Sequence, residues 1–133
     1  MKEQFTQLVE IIAKLRGENG CPWDKEQTSQ SLKPYLLEET YEVLEAIENE
    51  EPDGLKEELG DLMLQIVMQA QLAKEKGLFD IQDVLTGICE KLTRRHPHVF
   101  GDMKFNNSVE VIAHWKEIKE QEKIRQKADK GTG

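Results

Sequence analysis

Apolar residues recur along this chain with a helical period, and no segment alternates convincingly with period two. Phe5, Leu8, Val9, Ile12 and Leu15 fall on one face of a helix over residues 2–16. GENGCPWDKEQT then reads as an irregular loop, after which Thr28 or Ser29 can cap a short helical turn. Pro34 opens a second helix as a first-turn proline, and that helix runs to Asn49. After the turn Glu51-Pro52-Asp53-Gly54, Asp53 is placed to cap a third helix ending at Gly77, a natural left-handed stop. Asp80 caps a fourth helix that runs to Arg95, since Pro97 forbids continuation. RRHPHVFGDMKFNN is a second irregular loop, and Asn107 with Glu110 forms a capping box for a fifth helix from Val109 to Lys127. The expected class is all-α: one domain over residues 1–127 built as a bundle of about five helices, with a disordered tail at 128–133. A short turn joins the second and third helices, so they should pair antiparallel.

The acids of this pair are the informative feature. At about 100° per residue, Leu32, Leu36, Val43 and Ile47 form the core stripe of the second helix. Glu38, Glu42 and Glu45 lie on the opposite or lateral face, and Glu39 sits at the margin of the stripe. In the third helix, Asp61 is the one charged residue from Leu59 to Ala73. Its apolar residues cover most of the circumference, so the helix should be buried nearly all round. Five helices from one subunit offer too few partners to cover Leu64, Val67 and Met68 as well as Leu55, Leu62 and Ile66, which predicts a homodimer. Glu58 and Asp61 lie one turn apart at the start of this helix. A carboxylate beside such a surface must be paired, protonated or bound to a cation. Antiparallel pairing can bring Glu39, Glu42, Glu58 and Asp61 together, and four carboxylates share a small space only when cations neutralise them. Oxygen-only ligands favour Mg²⁺, Mn²⁺ or Ca²⁺. On periodicity alone, a solvated face whose acids pair with lysines accounts for the same residues.

Composition narrows the class. Hydrophobic residues are 38% of the 133 and charged residues 33%, which suits a folded helical domain rather than wholesale disorder. The net charge of −8 argues against a nucleic-acid or anionic-membrane binder driven by bulk charge. The N-terminus lacks the apolar run of a signal peptide, and no apolar stretch reaches membrane-spanning length, so a cytoplasmic protein is expected. Cys21 and Cys89 have no metal-ligand spacing and read as bystander thiols.

The fourth helix ends in a basic cluster. Leu85, Ile88 and Leu92 set its core stripe, and Arg95 lies beside it with Lys91 one turn back and Arg94 adjacent. Cations at a helix C-terminus also suit the dipole. The sharper alternative is an anion pocket for a small phosphorylated ligand, since guanidiniums fork onto phosphate oxygens. Trp115, with Lys119 one turn on, could offer an aromatic face beside a cation; core anchoring is the plainer role of Trp23 and Trp115.

CPWDKEQTSQSLKPYLLEETYEVLEAI, KEELGDLMLQIVMQAQLA, KLTRRHPHVFGD and HWKEIK together resemble the MazG nucleoside triphosphate pyrophosphohydrolases, from about residue 5 to about residue 124. The family's EExxE…ExxD signature reads here as Glu38-Glu39-Thr40-Tyr41-Glu42 and Glu58-Leu59-Gly60-Asp61. The resemblance implies an all-α bundle, a homodimer and a requirement for Mg²⁺; the oxygen-only ligand set would also admit Mn²⁺. It implies hydrolysis of a nucleoside triphosphate between the α- and β-phosphates to NMP and pyrophosphate. Carried over by motif, Glu39, Glu42, Glu58 and Asp61 become metal ligands, with Glu38 in the same catalytic set. Lys91, Arg94 and Arg95 become phosphate-binding residues. Two other classes fit the residues less fully: a nucleotide-binding or sensing module with little turnover, and a structural dimerisation bundle. A di-iron carboxylate bundle would need Glu-x-x-His on two helices, and none occurs.

Overall fold

The computed structural model describes the backbone of residues 1–132 and the side chains through residue 128. Among the described residues there are seven helices and no strand: α1 (Lys2–Arg16), α2 (Pro22–Glu26), α3 (Lys33–Glu48), α4 (Pro52–Glu75), α5 (Ile81–Arg95), α6 (Pro97–Phe100) and α7 (Ser108–Thr132). The all-α expectation holds. The five expected helices are α1, α3, α4, α5 and α7, and α2 and α6 are short turns of helix inside the two stretches expected to be irregular. Each begins with a proline whose missing N–H costs nothing at a first turn. The expected tail at 128–133 falls almost wholly on residues whose side chains, and at Gly133 the backbone, lie outside those described.

By Cα packing the chain divides into two compact units, residues 1–84 and 85–133. The first is built on the α3–α4 hairpin with α1 laid against α4. Ile12 of α1, Leu32 just before α3, and Val67, Met68 and Leu72 of α4 form its buried centre, with Phe5, Leu8, Val9 and Ile81 packed around it. Arg16 fastens the end of α1 to the end of α4. Its Nε and Nη2 donate to Glu75 at 2.8 and 2.9 Å, and its Nη1 donates to the backbone carbonyls of Asp24 and Gln27.

Both ends of the hairpin close with the same hydrogen-bond pattern. After α4, Leu78 N–H donates to Ala73 O and Gly77 N–H to Lys74 O, with Gly77 left-handed at φ 70°. After α3, Glu51 N–H donates to Ala46 O and Glu50 N–H to Ile47 O, with Glu50 in the left-handed position at φ 51°. Glycine takes that conformation freely and glutamate does not. Asp53 is a first-turn residue and not the cap of α4; the N-cap is Glu51, because Pro52 occupies the first helical position. Asp80 caps α5 as expected and does so reciprocally: Asp83 N–H donates to Asp80 Oδ1 and Asp80 N–H to Asp83 Oδ2, both 3.0 Å. Asn107 Oδ1 likewise accepts from Glu110 N–H, while Glu110 Oε2 accepts from the N–H of Asn106, one residue earlier than expected.

The core stripes differ in detail from the periodic pattern. The inward line along α3 is Leu32 just before the helix, half-buried Leu36, and buried Val43 and Ala46, and Ile47 is exposed. On α4, Val67 and Met68 are covered within the single chain, contrary to expectation, because α1 and the segment before α3 reach them. Leu59, Met63, Leu64 and Ile66 remain partly open, as do Leu37, Tyr41 and Leu44 on α3. In α5 the expected stripe of Leu85, Ile88 and Leu92 is also partly exposed, so these residues are no closed core in one chain. Trp23 is half exposed and stands edge-on to Tyr35, a surface pair rather than a core anchor. Cys21 and Cys89 are free thiols. No helix among the described residues is long and apolar enough to cross a membrane.

Candidate metal and phosphate sites

The shift of the α3 stripe from Ile47 to Ala46 moves Glu39 from its margin to its middle. Leu32 and Ala46 are each seven residues away, and Leu36 and Val43 flank it by one turn. The carboxylate therefore points where an apolar side chain would pack. Opposite it on α4, Glu58 and Asp61 occupy successive turns of the inward face, followed by buried Gln65. One carboxylate oxygen from each of Glu39, Glu58 and Asp61 lies within 4.8 Å of the other two. Glu42, one turn beyond Glu39, meets the same cluster from its exposed side, near enough for its charge to raise the Glu58 carboxyl.

The electrostatics follow from that crowding. Burial pushes the Glu58 carboxyl up to about 7, and the charges of Glu42, Asp61 and Glu39 push the same way. Burial also raises Glu39, with Asp61 the next cause; a hydrogen bond from Glu58 partly offsets both. Glu39 Oε2 is shielded from solvent and has no hydrogen-bond partner. No lysine or arginine forms an ion pair with Glu38, Glu39, Glu42, Glu45, Glu58 or Asp61 among the described residues, so neutralisation by lysine does not account for the cluster. A buried, unpartnered carboxylate oxygen beside two further carboxylates suits a hard divalent cation chemically, so Glu39, Glu58 and Asp61 are the residues that could hold one such as Mg²⁺ or Mn²⁺. Glu38 is exposed on α3, one turn before Glu42.

The basic residues belong to the second unit. Arg94 and Arg95 end α5 and both meet Glu122 of α7. Arg94 Nε and Nη2 donate to Glu122 Oε1 at 2.9 and 2.7 Å, and Arg95 Nη2 donates to Oε2 at 2.8 Å. The two guanidiniums hold the Glu122 carboxyl down at about 2, Arg95 contributing most. Trp115 Nε1–H donates to Arg95 O at 2.6 Å, so its indole anchors the end of α5. Its ring also meets His96 edge-on, with centroids 5.2 Å apart. Lys91 and Lys119 are exposed and make no ion pair among the described residues. Sequence pattern missed Glu122: nothing in KEQEKIRQ distinguishes it from a solvated acid, and only packing pairs residues so far apart in the chain.

The site is thus an all-α helical hairpin that turns Glu39, Glu58 and Asp61 toward one another. The model of the MazG nucleotide pyrophosphohydrolase domain matches residues 27–100, and the chain belongs to that family. It is 54% identical over 123 residues to a nucleoside triphosphate pyrophosphohydrolase of Escherichia coli K12, covering 92% of this chain and 47% of that protein. It is 51% identical over 126 residues to the nucleoside triphosphate pyrophosphohydrolase/pyrophosphatase MazG of Thermotoga maritima, covering 95% and 48%. A Bacillus subtilis protein, YabN, is 53% identical over 120 residues, which are 24% of its length. The chain thus spans half or less of these relatives. The crystal structure of a mazG-related protein from Thermotoga maritima superposes with a TM-score of 0.71 at 31% identity, covering 86% of this chain and 98% of that one.

Proposed function

We propose that the chain is a nucleoside triphosphate pyrophosphohydrolase that cleaves between the α- and β-phosphates, releasing NMP and pyrophosphate. The observation that carries this is the shielded, unpartnered Oε2 of Glu39 in a carboxylate that meets Glu58 and Asp61, a donor set without a cation of the protein's own. Glu39, Glu42, Glu58 and Asp61 would hold Mg²⁺, with Mn²⁺ as a substitute. When bound, the ion supplies Lewis acidity and offsets the charge that builds on the phosphates. Glu38, exposed one turn from Glu42, or one of the less tightly held acids of the set would orient the attacking water and accept its proton. Lys91, Arg94 and Arg95 would carry phosphate oxygens, and Trp115 with Lys119 would add an aromatic and cationic surface for the nucleotide.

The working form would be a homodimer. Leu37, Tyr41 and Leu44 on α3 and Leu59, Met63 and Ile66 on α4 repeat at i, i+4 and i+7, and all are at least 39% exposed. Two apolar stripes on adjacent helices are the pattern of a helix–helix interface, and a second copy of the chain supplies the complementary pair.

The deciding assay incubates a panel of NTPs and dNTPs with protein and Mg²⁺ and separates pyrophosphate from orthophosphate. Equimolar NMP and pyrophosphate, lost with EDTA and in Glu58→Gln, is the expected result. NDP with orthophosphate would overturn the cleavage position. Nucleotide bound without turnover would instead make this a sensing module.

A further inference from the structure

We propose that Glu122 is a positioning residue that sets the guanidiniums of Arg94 and Arg95 for the phosphates of the nucleotide. This rests on the phosphate-binding role proposed above for those arginines.

The geometry is that of a shared brace. Each oxygen of one carboxylate serves a different guanidinium: Oε1 takes Nε and Nη2 of Arg94, and Oε2 takes Nη2 of Arg95. The brace is itself held. Glu122 stands two turns beyond Trp115 on α7, with buried Ile118 between them on the same face. Trp115 is bonded to the backbone of Arg95, so one face of α7 fixes both the backbone and the side-chain head of that residue.

What the brace leaves open matters more. Arg95 has five N–H donors and uses one on Glu122. Its Nε is shielded from solvent and has no partner, an arrangement that costs stability unless an acceptor arrives. Arg94 spends its Nε edge on Glu122, and its Nη1 is not among the bonded atoms. Beside Arg94 and Glu122 lies a cavity of about 350 Å³ whose wall also includes Gln121 and Arg125. Without Glu122, two adjacent arginines would repel and sweep many rotamers. With it they are pinned, at the expense of one of their two positive charges, and Lys91 and Arg125 keep the neighbourhood cationic. A guanidinium fixed on one edge can offer the other to a phosphate with little further ordering, which is where preorganisation raises affinity. Glu122 lies outside the EExxE…ExxD signature, since it acts on the arginines and not on the metal.

The test compares Glu122→Gln, Glu122→Asp and Arg95→Ala in steady-state NTP hydrolysis with saturating Mg²⁺, alongside circular dichroism and thermal unfolding. Positioning predicts that Glu122→Gln raises KM about tenfold, the loss of roughly one charge-assisted contact, with kcat changed less than about threefold. Glu122→Asp keeps the charge but cannot span both arginines, and should raise KM to a smaller extent. If Glu122→Gln lowers the folded fraction, the aspartate variant decides alone: a raised KM at native helicity supports the brace, and a native KM overturns it. An unchanged KM in Glu122→Gln, with or without a lower melting temperature, makes the contact a plain structural ion pair. A lowered KM makes Glu122 a counter-ion that competes with the nucleotide. Either result overturns the proposal. Arg95→Ala separates the two levels of inference. If it too leaves KM unchanged, the phosphate role of the arginines fails; if it raises KM and Glu122→Gln does not, only the positioning role fails.

Discussion

Replacing Glu39 with leucine removes a carboxylate from the middle of the Leu32–Leu36–Val43–Ala46 stripe and puts an apolar side chain of similar reach in its place. Because Glu39 Oε2 is shielded and unpartnered, its removal relieves about 1–3 kcal/mol, the usual cost of an unsatisfied buried polar group. The leucine methyls add roughly 1 kcal/mol of burial at a partly covered position, and imperfect fit takes back a similar amount. The metal-free variant should therefore be about 1–3 kcal/mol more stable than the native chain. For a chain of this size that is a rise of about 3–10 °C in melting temperature. The sign depends on pH in a defined way. Burial first, then Asp61, raises Glu39, and burial with Glu42 pushes Glu58 up to about 7. A carboxyl whose folded pKa is raised stabilises the fold below its ordinary range, and that contribution is lost as pH rises through the folded value. The gain from Glu39→Leu should thus be largest near pH 8 and shrink toward pH 5. The assay is thermal unfolding at matched protein concentration, in EDTA and again in Mg²⁺. Mg²⁺ should stabilise the native chain by about 2.7 kcal/mol at a hundred times its dissociation constant, raising its melting temperature accordingly, and leave the variant unmoved. Hydrolysis should be lost in the variant. A variant less stable than the native chain in EDTA would refute the reasoning, because it would mean that the Glu39 carboxylate makes favourable contacts in the metal-free fold.

Other consequences can be checked separately. Arg16→Leu should cost about 2–4 kcal/mol in chemical denaturation, since it strips a nearly buried guanidinium from Glu75 and leaves two loop carbonyls without their donor; a change near zero would mean that this clamp is not formed in solution. Glu50→Gly should add about 0.5–1 kcal/mol without altering activity, because φ 51° is strained for glutamate and free for glycine; a lower denaturation midpoint would count against the left-handed turn. Light scattering at micromolar concentration should give twice the chain mass, and Tyr41→Glu should reduce it to one; a monomeric native chain would remove the dimer.

Period and punctuation made most of the architecture legible in the sequence. Gly77, Asp80 and Asn107 each act through their own backbone or their nearest turn, so one residue type at one position is enough to place them. Glu50 was not legible. It occupies a position that glycine normally fills, and only the tertiary demand for a tight α3–α4 turn holds it left-handed. The same limit applies to the stripes. Ile47 and Ala46 differ by one position, and hydrophobicity favours the isoleucine as the core residue; the close approach of α4 favours the smaller alanine. That single exchange decides whether Glu39 is marginal or central. The acids of the signature were legible as a motif, but their convergence needed the antiparallel pairing. Glu122 was invisible because its partners lie on another helix.

The α3–α4 hairpin carries two features that weaken it as an isolated element: carboxylates set into its buried face and apolar stripes left on its outer face. Either would be removed by a few substitutions if stability alone governed the sequence. Leucine at position 39 would mend the first, and glutamate or lysine at positions 37, 41 and 44 the second. Placing both on the same two helices makes sense when each is relieved by something that binds the folded chain and not the unfolded one. A cation would relieve the repulsion, and a second copy would cover the stripes. Both would draw on one folding equilibrium, so without direct contact between cation and partner their stabilisations should add. Dilution that favours the monomer should therefore lower the melting temperature in EDTA and in Mg²⁺ alike, and the dilute protein in EDTA should be the least stable of the four conditions. A melting temperature that does not respond to protein concentration in either buffer would mean that the apolar stripes need an explanation other than self-association.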